Sequence, residues 1–474
     1  MEDDFRHKII IDPVHGDIGL SKLETELIDT PTFQRLRGIK QLGFAYTVYP
    51  SARHSRFEHS LGVMHIMSRI LESFRYKDKD AVPEDHFLKQ RIAALLHDIG
   101  HYPYSHLMEK IDWGSAQKYI SKKGQGEEGK VSLPKPYPKH DRLGEIVITE
   151  RKDIKEKLEG NNIDPKDIVA LVRGGHIEIP PLLNASLDVD RLDYLMRDSL
   201  STGLPYGKVD LNYIVNNLEL VGEGTEKEIV VRAKARSSVE HMLMGRYFMF
   251  NTVYMHKTVF AFEEIIRRIV LILWEKGKIY KSGEDIEKMA RDDSGEFLAF
   301  HDGYLDELID IHANDSTDKT LAALCKAVKL RKPPKLVCEI SELTFNDSNP
   351  SEEYAVLRRE WSNKVKEFAE ETQIPEERWI FRDIKGPEFE KVHPFVSLAE
   401  ARKLYDSKEE VLRELVKVRK GSAESTNLLE DDSSILHYMS RLKPRLCRVY
   451  VIGIDDVKAS EIRDKIEKWL LSEG

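Results

Sequence analysis

The sequence predicts a mainly α-helical protein with a short N-terminal hairpin and a smaller α+β lobe towards its C-terminal end. Three observations carry that prediction. Apolar residues recur at spacings of three and four along most of the first 275 residues, as in RIAALLHDI, where Ile92, Leu95, Leu96 and Ile99 share one face. Near the start, KIIIDPVHGDIGL reads as an extended entry with Pro13 and Gly16 as turn signals, able to pair as a hairpin or edge strand. Beyond about residue 285, KPPKLVCEISEL, RWIFRDI and RLCRVYVIGI each carry a strand-like run, separated by charged helices such as 352–371.

In chain order, helical patterns follow the entry at about 21–28, 32–43, 58–76, 86–98, 104–112, 141–149, 164–171 and 186–198. The Lys-, Gly- and Pro-rich stretch 121–140 reads as a long surface loop. IVVRAK, 229–234, suggests a short strand, and a long helix is expected from Ser237 to Lys276. The chain thus divides into a core at 1–275 and an assembly or regulatory lobe at 276–474, with no internal repeat.

Bulk properties exclude several functions. With 474 residues, 41% of them hydrophobic and 33% charged, the composition is that of an ordinary globular protein. A net charge of −9 gives no global attraction to nucleic acid or anionic membrane, so a polyanionic ligand needs a local basic pocket. Cys325, Cys338 and Cys447 are scattered and form no CxxC pair, which argues against thiolate zinc sites and for a reducing compartment. MEDDFRHKII has no signal-peptide apolar region, and no run approaches the ~20 apolar residues of a membrane span. The expected location is cytoplasmic.

The polar residues set into the apolar helices need a separate reason. His59 in HSRFEHSLGV, the pair His97-Asp98 in LLHDIGHYPYSH and Asp190 in DVDRLDYLMRDS offer imidazole and carboxylate, the donors that suit a divalent ion such as Zn, Fe, Mn, Ni or Mg. Singly, each is a cap or a paired core residue; together, in the order His, His-Asp, Asp, they make a candidate metal quartet. His97 and Asp98 point about 100° apart on a helix, so they bracket one ion only at a helix end or bend, where Gly100 sits. Asp190, Tyr194 and Asp198 are spaced to share one face, with Arg191 beside it.

These segments resemble those of the HD-domain phosphohydrolases, and among them the SAM-and-HD-domain deoxynucleoside triphosphate triphosphohydrolases. DPVHG, IDTPTFQRLRGIKQLG, HSRFEHSLGV, LLHDIGHYPYSH, KHDRLGE, DVDRLDYLMRDS and YMHK occur in that group's order, from residue 8 to about 275, without a preceding SAM domain. The resemblance implies an HD-domain helical core. It implies attack of water on the α-phosphorus of a dNTP, releasing deoxynucleoside and triphosphate, with Mg accompanying the substrate.

By the same resemblance His101, His106 and His140 are additional active-site histidines, and His106 is the first candidate to protonate the leaving 5′-oxygen. Glu109, three residues on, is placed to raise its pKa, where relatives carry Asp. Arg56, Arg191, Arg246 and Lys257 match positions facing the substrate phosphates, although Arg191 stands where lysine is usual. Gln41, Leu42, Tyr194, Asp198 and Tyr254 match the nucleoside pocket, with Tyr254 and Leu42 crowding a 2′-hydroxyl and Gln41 and Asp198 facing the 3′-hydroxyl. Lys8, Asp29, Gln34 and Arg37 fall where the family's guanine-nucleotide activator sits, and Arg232 and Lys234 at an adjoining nucleotide site, which implies GTP or dGTP activation and a homo-oligomer, a tetramer or dimer. Thr252 and Ser238 depart from the activator pattern.

Two other classes use the same residues. An HD phosphodiesterase or nuclease acting on other nucleotides or single-stranded nucleic acid needs the quartet but not the tight sugar pocket, and a nuclease needs a basic track outside it. A nucleotide-sensing scaffold needs no complete quartet.

Overall fold

The computed structural model describes residues 5, 7–109, 136–175, 179–183, 187–223, 227–280, 282–315, 317–345, 348–384, 416–421 and 425–473. The expected loop at 121–140 lies outside these residues up to 135.

Strands β1 (Lys8–Asp12) and β2 (Gly16–Leu20) pair antiparallel, Lys8 opposite Leu20. Asp12 Oδ1 accepts the amides of Val14 and His15, and Gly16 supplies a φ of +74°, so DPVHG closes the hairpin. A Ser21/Glu24 capping box opens α1 (Lys22–Ile28), and Thr30 caps the short α2 (Pro31–Gln34).

The helix expected over 32–43 stops here. The chain makes a 3₁₀ turn at Arg35–Gly38, becomes extended at Ile39, and turns again at Gly43–Thr47. The reason is tertiary: a Cβ on Gly38 would lie 2.7 Å from the His301 ring, and Lys40 bridges to Ser55.

The centre of the fold is α3 (Arg56–Lys77) against α4 (Glu84–Leu96), with Val63, Met64, Ile66, Met67 and Ile70 buried on one and Ile92, Leu95 and Leu96 on the other. The helix expected over 104–112 is only a 3₁₀ turn at Ser105–Leu107 among the described residues, because Tyr104 and Ser105 both have positive φ. Then come α5 (His140–Glu150), α6 (Lys152–Gly160), α7 (Pro165–Val172) and α8 (Val189–Thr202). Asp188 caps α8, which packs on α3 so closely that a Cβ on Gly62 would lie 1.9 Å from Asp193 Oδ1.

A short α9 (Leu211–Asn216) leads to β3 (Leu218–Val221) and β4 (Glu228–Arg232). The long helix expected from Ser237 is two helices, α10 (Arg236–Met249) and α11 (Lys257–Glu275), parted by a π turn at Phe250–Tyr254. His256 caps α11, and the break lets Tyr254 reach Asp198 on α8.

Helices α12 (Gly283–Arg291), α13 (Gly295–Ala299), α14 (Asp302–Ala313) and α15 (Lys319–Lys329) join the same apolar core, which runs unbroken from Ile18 to Cys325. We therefore place the end of the core unit near residue 330 instead of 275.

The α+β lobe comprises β5 (Lys335–Phe345), α16 (Glu352–Thr372), β6 (Trp379–Ile384), β7 (Lys417–Arg419), β8 (Thr426–Asn427), α17 (Ile435–Met439), β9 (Leu442–Val451) and α18 (Asp456–Glu473). In its sheet β9 lies between β5 and β6, antiparallel to both, over a separate core of Val337, Trp361, Phe368, Val449 and Ile462. A small cluster of Phe260, Ile380 and Tyr450 joins the two cores. The lobe is not independent, because β7 pairs parallel to β4 and Leu428 and Leu436 enter the main core. The mainly helical core, the N-terminal hairpin and the α+β C-terminal lobe are as expected.

Candidate metal centre and active site

Three helix ends meet beside the α3–α4 pair. A Ser55/Glu58 capping box starts α3 and puts His59 in its first turns, wholly buried. His97 ends α4, and Asp190 lies at the start of α8. His97 Nδ1 donates to the Ala94 carbonyl at 2.8 Å, which fixes the tautomer and leaves Nε2 as a buried lone pair with no hydrogen bond among the described residues. His59 Nδ1 donates to Asp193 Oδ2 at 2.7 Å. Its Nε2 comes to 2.8 Å from Asp190 Oδ1 without hydrogen-bond alignment, the arrangement of two donors aimed at a third point.

One ligand atom each from His59, His97 and Asp190 lies within 4.8 Å of the others. This group can hold a divalent metal. Asp98 stands beside it, with Oδ2 bonded to the Arg56 guanidinium and 3.7 Å from His59 Nε2, and Oδ1 3.4 Å from His97 Nε2.

The electrostatics ask for a cation here. Burial opposes charging of His59, but the carboxylates of Asp190 and Asp193 outweigh it and hold the imidazole up to about 10. Asp98 is also buried, yet Arg56 and the neighbouring histidines keep it well below the usual carboxylate range.

A second cluster faces the first. His101 Nε2 lies 3.3 Å from Asp98 Oδ1, and its ring stacks on His140 at 4.0 Å. Glu109, nearly buried, binds His106 Nδ1 at 2.5 Å and His140 Nδ1 at 3.1 Å. Against the cost of burial, Asp141 and Glu109 hold His140 up to about 10, whereas burial beside Arg56 and His140 drives His101 well below its ordinary value. His140 enters because Gly100 lets α5 approach: a Cβ there would sit 2.2 Å from the Gly144 amide.

His97, Asp98 and Asp190 of the first cluster and His101, His106 and His140 of the second line one cavity of about 160 Å³, with Gln41, Arg56, Asp141, Val172, Leu183 and Tyr194 completing its wall; His59 and Glu109 are not among the lining residues. Gln41 Oε1 is buried and without a partner among the described residues. Tyr194 meets Tyr254 edge-on at 6.3 Å, and Tyr254 donates to Asp198 Oδ2 at 2.6 Å. The other Asp198 oxygen lies 2.8 Å from His54 Nε2, so both are engaged inside the protein.

Leu42, Arg191, Asp198, Arg246, Tyr254 and Lys257 do not line this cavity. Arg191 folds back towards Asp188 at 3.7 Å; Arg246 is buried close to Tyr194 and Tyr254; Lys257 is exposed at the start of α11. Of the expected activator residues, Lys8 and Asp29 approach to 3.6 Å on the surface, and Arg37 donates to Gln34 Oε1 at 2.7 Å while covering the Phe57 ring. Arg232 is bonded to Glu219 at 2.6 Å beside an exposed Lys234.

Sequence reasoning missed the support beneath His59. Asp193 accepts from His59, from His15 at 2.6 Å and from Arg197 at 2.9 Å, and Arg197 continues to Asp12 at 2.8 Å. The signal was present: Asp193 and Arg197 are four apart on the helix that carries Asp190, and Asp12 and His15 belong to DPVHG. His54 was missed as well, five residues before His59 and just ahead of the Ser55 cap.

A family model described as HD domain matches residues 56–198, and one described as HD associated region matches 209–313. The chain belongs to the HD-domain family. Among its relatives is an uncharacterized protein, MJ1154, of Methanocaldococcus jannaschii, 34% identical over 306 residues, which are 64% of this chain and 57% of that one. Another is the deoxynucleoside triphosphate triphosphohydrolase SAMHD1 of Bos taurus, 32% identical over 266 residues, 53% of this chain and 45% of that one. The chain spans about half the length of these curated relatives. A solved phosphohydrolase from Bacteroides thetaiotaomicron shares the fold at a TM-score of 0.64, covering 94% of this chain and 99% of its own at 22% identity. Among the described residues of this HD-domain protein no helix is long and apolar enough to cross a membrane.

Proposed function

We propose that this HD-domain protein is a metal-dependent dNTP triphosphohydrolase, converting dNTP and water to deoxynucleoside and inorganic triphosphate. The observation that carries the reading is the pairing, across one cavity, of His97 and Asp190, grouped with the buried His59, with histidines buttressed by Glu109. His59, His97, Asp98 and Asp190 would hold the ion, which supplies a water of lowered pKa and polarises a phosphoryl oxygen.

The remaining work falls to the protein. Arg56, held between Asp98 and Ser105, keeps positive charge at the cavity wall. The oxygen of water bonds to the α-phosphorus as the bond to the 5′-oxygen breaks, and the leaving oxygen takes a proton from the His106 imidazolium that Glu109 sustains. His101 and His140 complete that wall. Arg246 and Lys257, with Arg191 swung from Asp188, are the candidates for the triphosphate. Gln41, with its orphaned Oε1, suits a sugar hydroxyl, and Tyr194 with Tyr254 behind it limits the space at the 2′ position; Leu42 and Asp198 shape this wall from behind.

Lys8, Asp29, Gln34 and Arg37, with Arg232 and Lys234, are proposed to receive a guanine nucleotide that couples assembly of a homo-oligomer to activity. Cytoplasmic location belongs to the same proposal.

The test is product analysis by ion exchange, with Mn²⁺ or Mg²⁺, each dNTP alone and then with GTP or dGTP. Intact triphosphate supports the reading, and dependence on the guanine nucleotide supports the activator site. Pyrophosphate, orthophosphate or no turnover favours the phosphodiesterase or nuclease alternative. In addition, Tyr254→Ala is expected to raise rNTP turnover by roughly tenfold relative to dNTP, since it removes a ring that Asp198 holds in place. Unchanged discrimination in competition assays would remove Tyr254 from the sugar pocket.

A further inference from the structure

The chain between His101 and His106 is held in an unusual way. Tyr104 and Ser105 are consecutive residues with φ of 54° and 58°, a left-handed conformation that side chains other than glycine adopt at a cost and keep only when the surroundings enforce it. Both are buried. Ser105 Oγ accepts from Arg56 Nε at 2.9 Å and donates to the Lys40 carbonyl at 2.8 Å, so this turn sets Arg56 and the segment leading into Gln41 as well as His106.

What enforces the turn comes from outside residues 56–198. Asp302, the first residue of α14, is 2% exposed. Its Oδ1 accepts the Tyr104 amide at 2.6 Å; its Oδ2 accepts the Lys40 amide at 3.1 Å and Lys40 Nζ at 3.0 Å. An acidic residue at a helix start ordinarily serves the helix's own free amides. Here both oxygens are directed at two other segments, each leading to a cavity residue. Arg35 reinforces the junction, donating to the carbonyls of Phe300 at 2.6 Å, Ile99 at 3.0 Å and His101 at 2.9 Å.

We infer that Asp302 is a positioning residue for the active site. It holds the Tyr104–Ser105 turn and, through it, His106 and Gln41, so the HD-associated segment completes a site whose chemistry lies in the preceding domain. The catalytic half of this inference rests on the reading of His106 as proton donor; the clamp does not.

The experiment compares full-length, metal-loaded wild-type protein with Asp302→Ala and the isosteric Asp302→Asn. Amide exchange by mass spectrometry, metal per chain, and steady-state kinetics on dNTP are measured together. In Asp302→Ala, exchange at 102–109 and around 40 should quicken by about tenfold or more while the peptide containing His59 stays as in wild type. Metal per chain should hold, and kcat per bound metal should fall about a hundredfold with KM changed less than about threefold.

Asp302→Asn retains one acceptor and should fall between; it decides the matter if the alanine variant does not fold. Quickening spread over the whole chain, or wild-type kcat per bound metal in a folded variant, overturns the inference. If the wild-type protein turns over no dNTP, the functional reading fails, and unchanged exchange at 102–109 is then the result that overturns the clamp.

Discussion

Asp190→Ala is expected to leave a folded protein that retains no tightly bound divalent metal and has lost turnover by at least about a thousandfold, roughly 4 kcal/mol of barrier. Asp190 suits this test better than Asp98 because of what each carboxylate touches. The Asp98 side chain is buried against the Arg56 guanidinium, so its removal strands a buried cation and mixes folding with chemistry. The Asp190 side chain is 36% exposed and faces the like charge of Asp98. Elemental analysis after dialysis, thermal unfolding in chelator and the product assay together check the expectation. Wild-type metal content in the variant would place the ion elsewhere.

Asp193→Ala is expected to have the largest effect on stability, about 3–5 kcal/mol in urea unfolding, the usual result of breaking a buried ion pair from one side. Asp193 is fully buried and serves His15, His59 and Arg197 together. Asp12 would remain as the only carboxylate on Arg197 among the described residues. The milder Asp193→Asn keeps the volume but offers an amide where His59 needs an acceptor, and should weaken metal binding roughly 10–100-fold, as loss of an outer partner of a ligating histidine does. Metal titration of the asparagine variant checks this; wild-type affinity would show that Asp193 serves folding alone.

How far the sequence was legible depends on how local each cause is. The hairpin could be read because DPVHG closes on itself, through Asp12 accepting amides two and three residues away. The helices expected over 58–76 and 186–198 begin within three residues of those starts, because their caps at Ser55 and Asp188 are local. The helices expected over 32–43 and from Ser237 to Lys276 failed for the opposite reason: the first is interrupted where His301 packs on Gly38, the second where a π turn carries Tyr254 to Asp198.

The candidate site divides the same way. His59, His97, Asp98 and Asp190 stand out in sequence because ionisable groups inside apolar helical stretches need a reason, and their order resembles a known family. The sequence by itself determined which residue types reach the centre of the molecule and which helices carry them. Only the tertiary structure decided which oxygen or nitrogen of each faces the ion and which is spent on a neighbour. Asp98 on Arg56, Asp193 beneath His59, His54 on Asp198 and Asp302 on Tyr104 are all partnerships between segments far apart in the chain. A buried polar atom takes whichever partner the packed chain brings within hydrogen-bond reach, and that choice has no local signature.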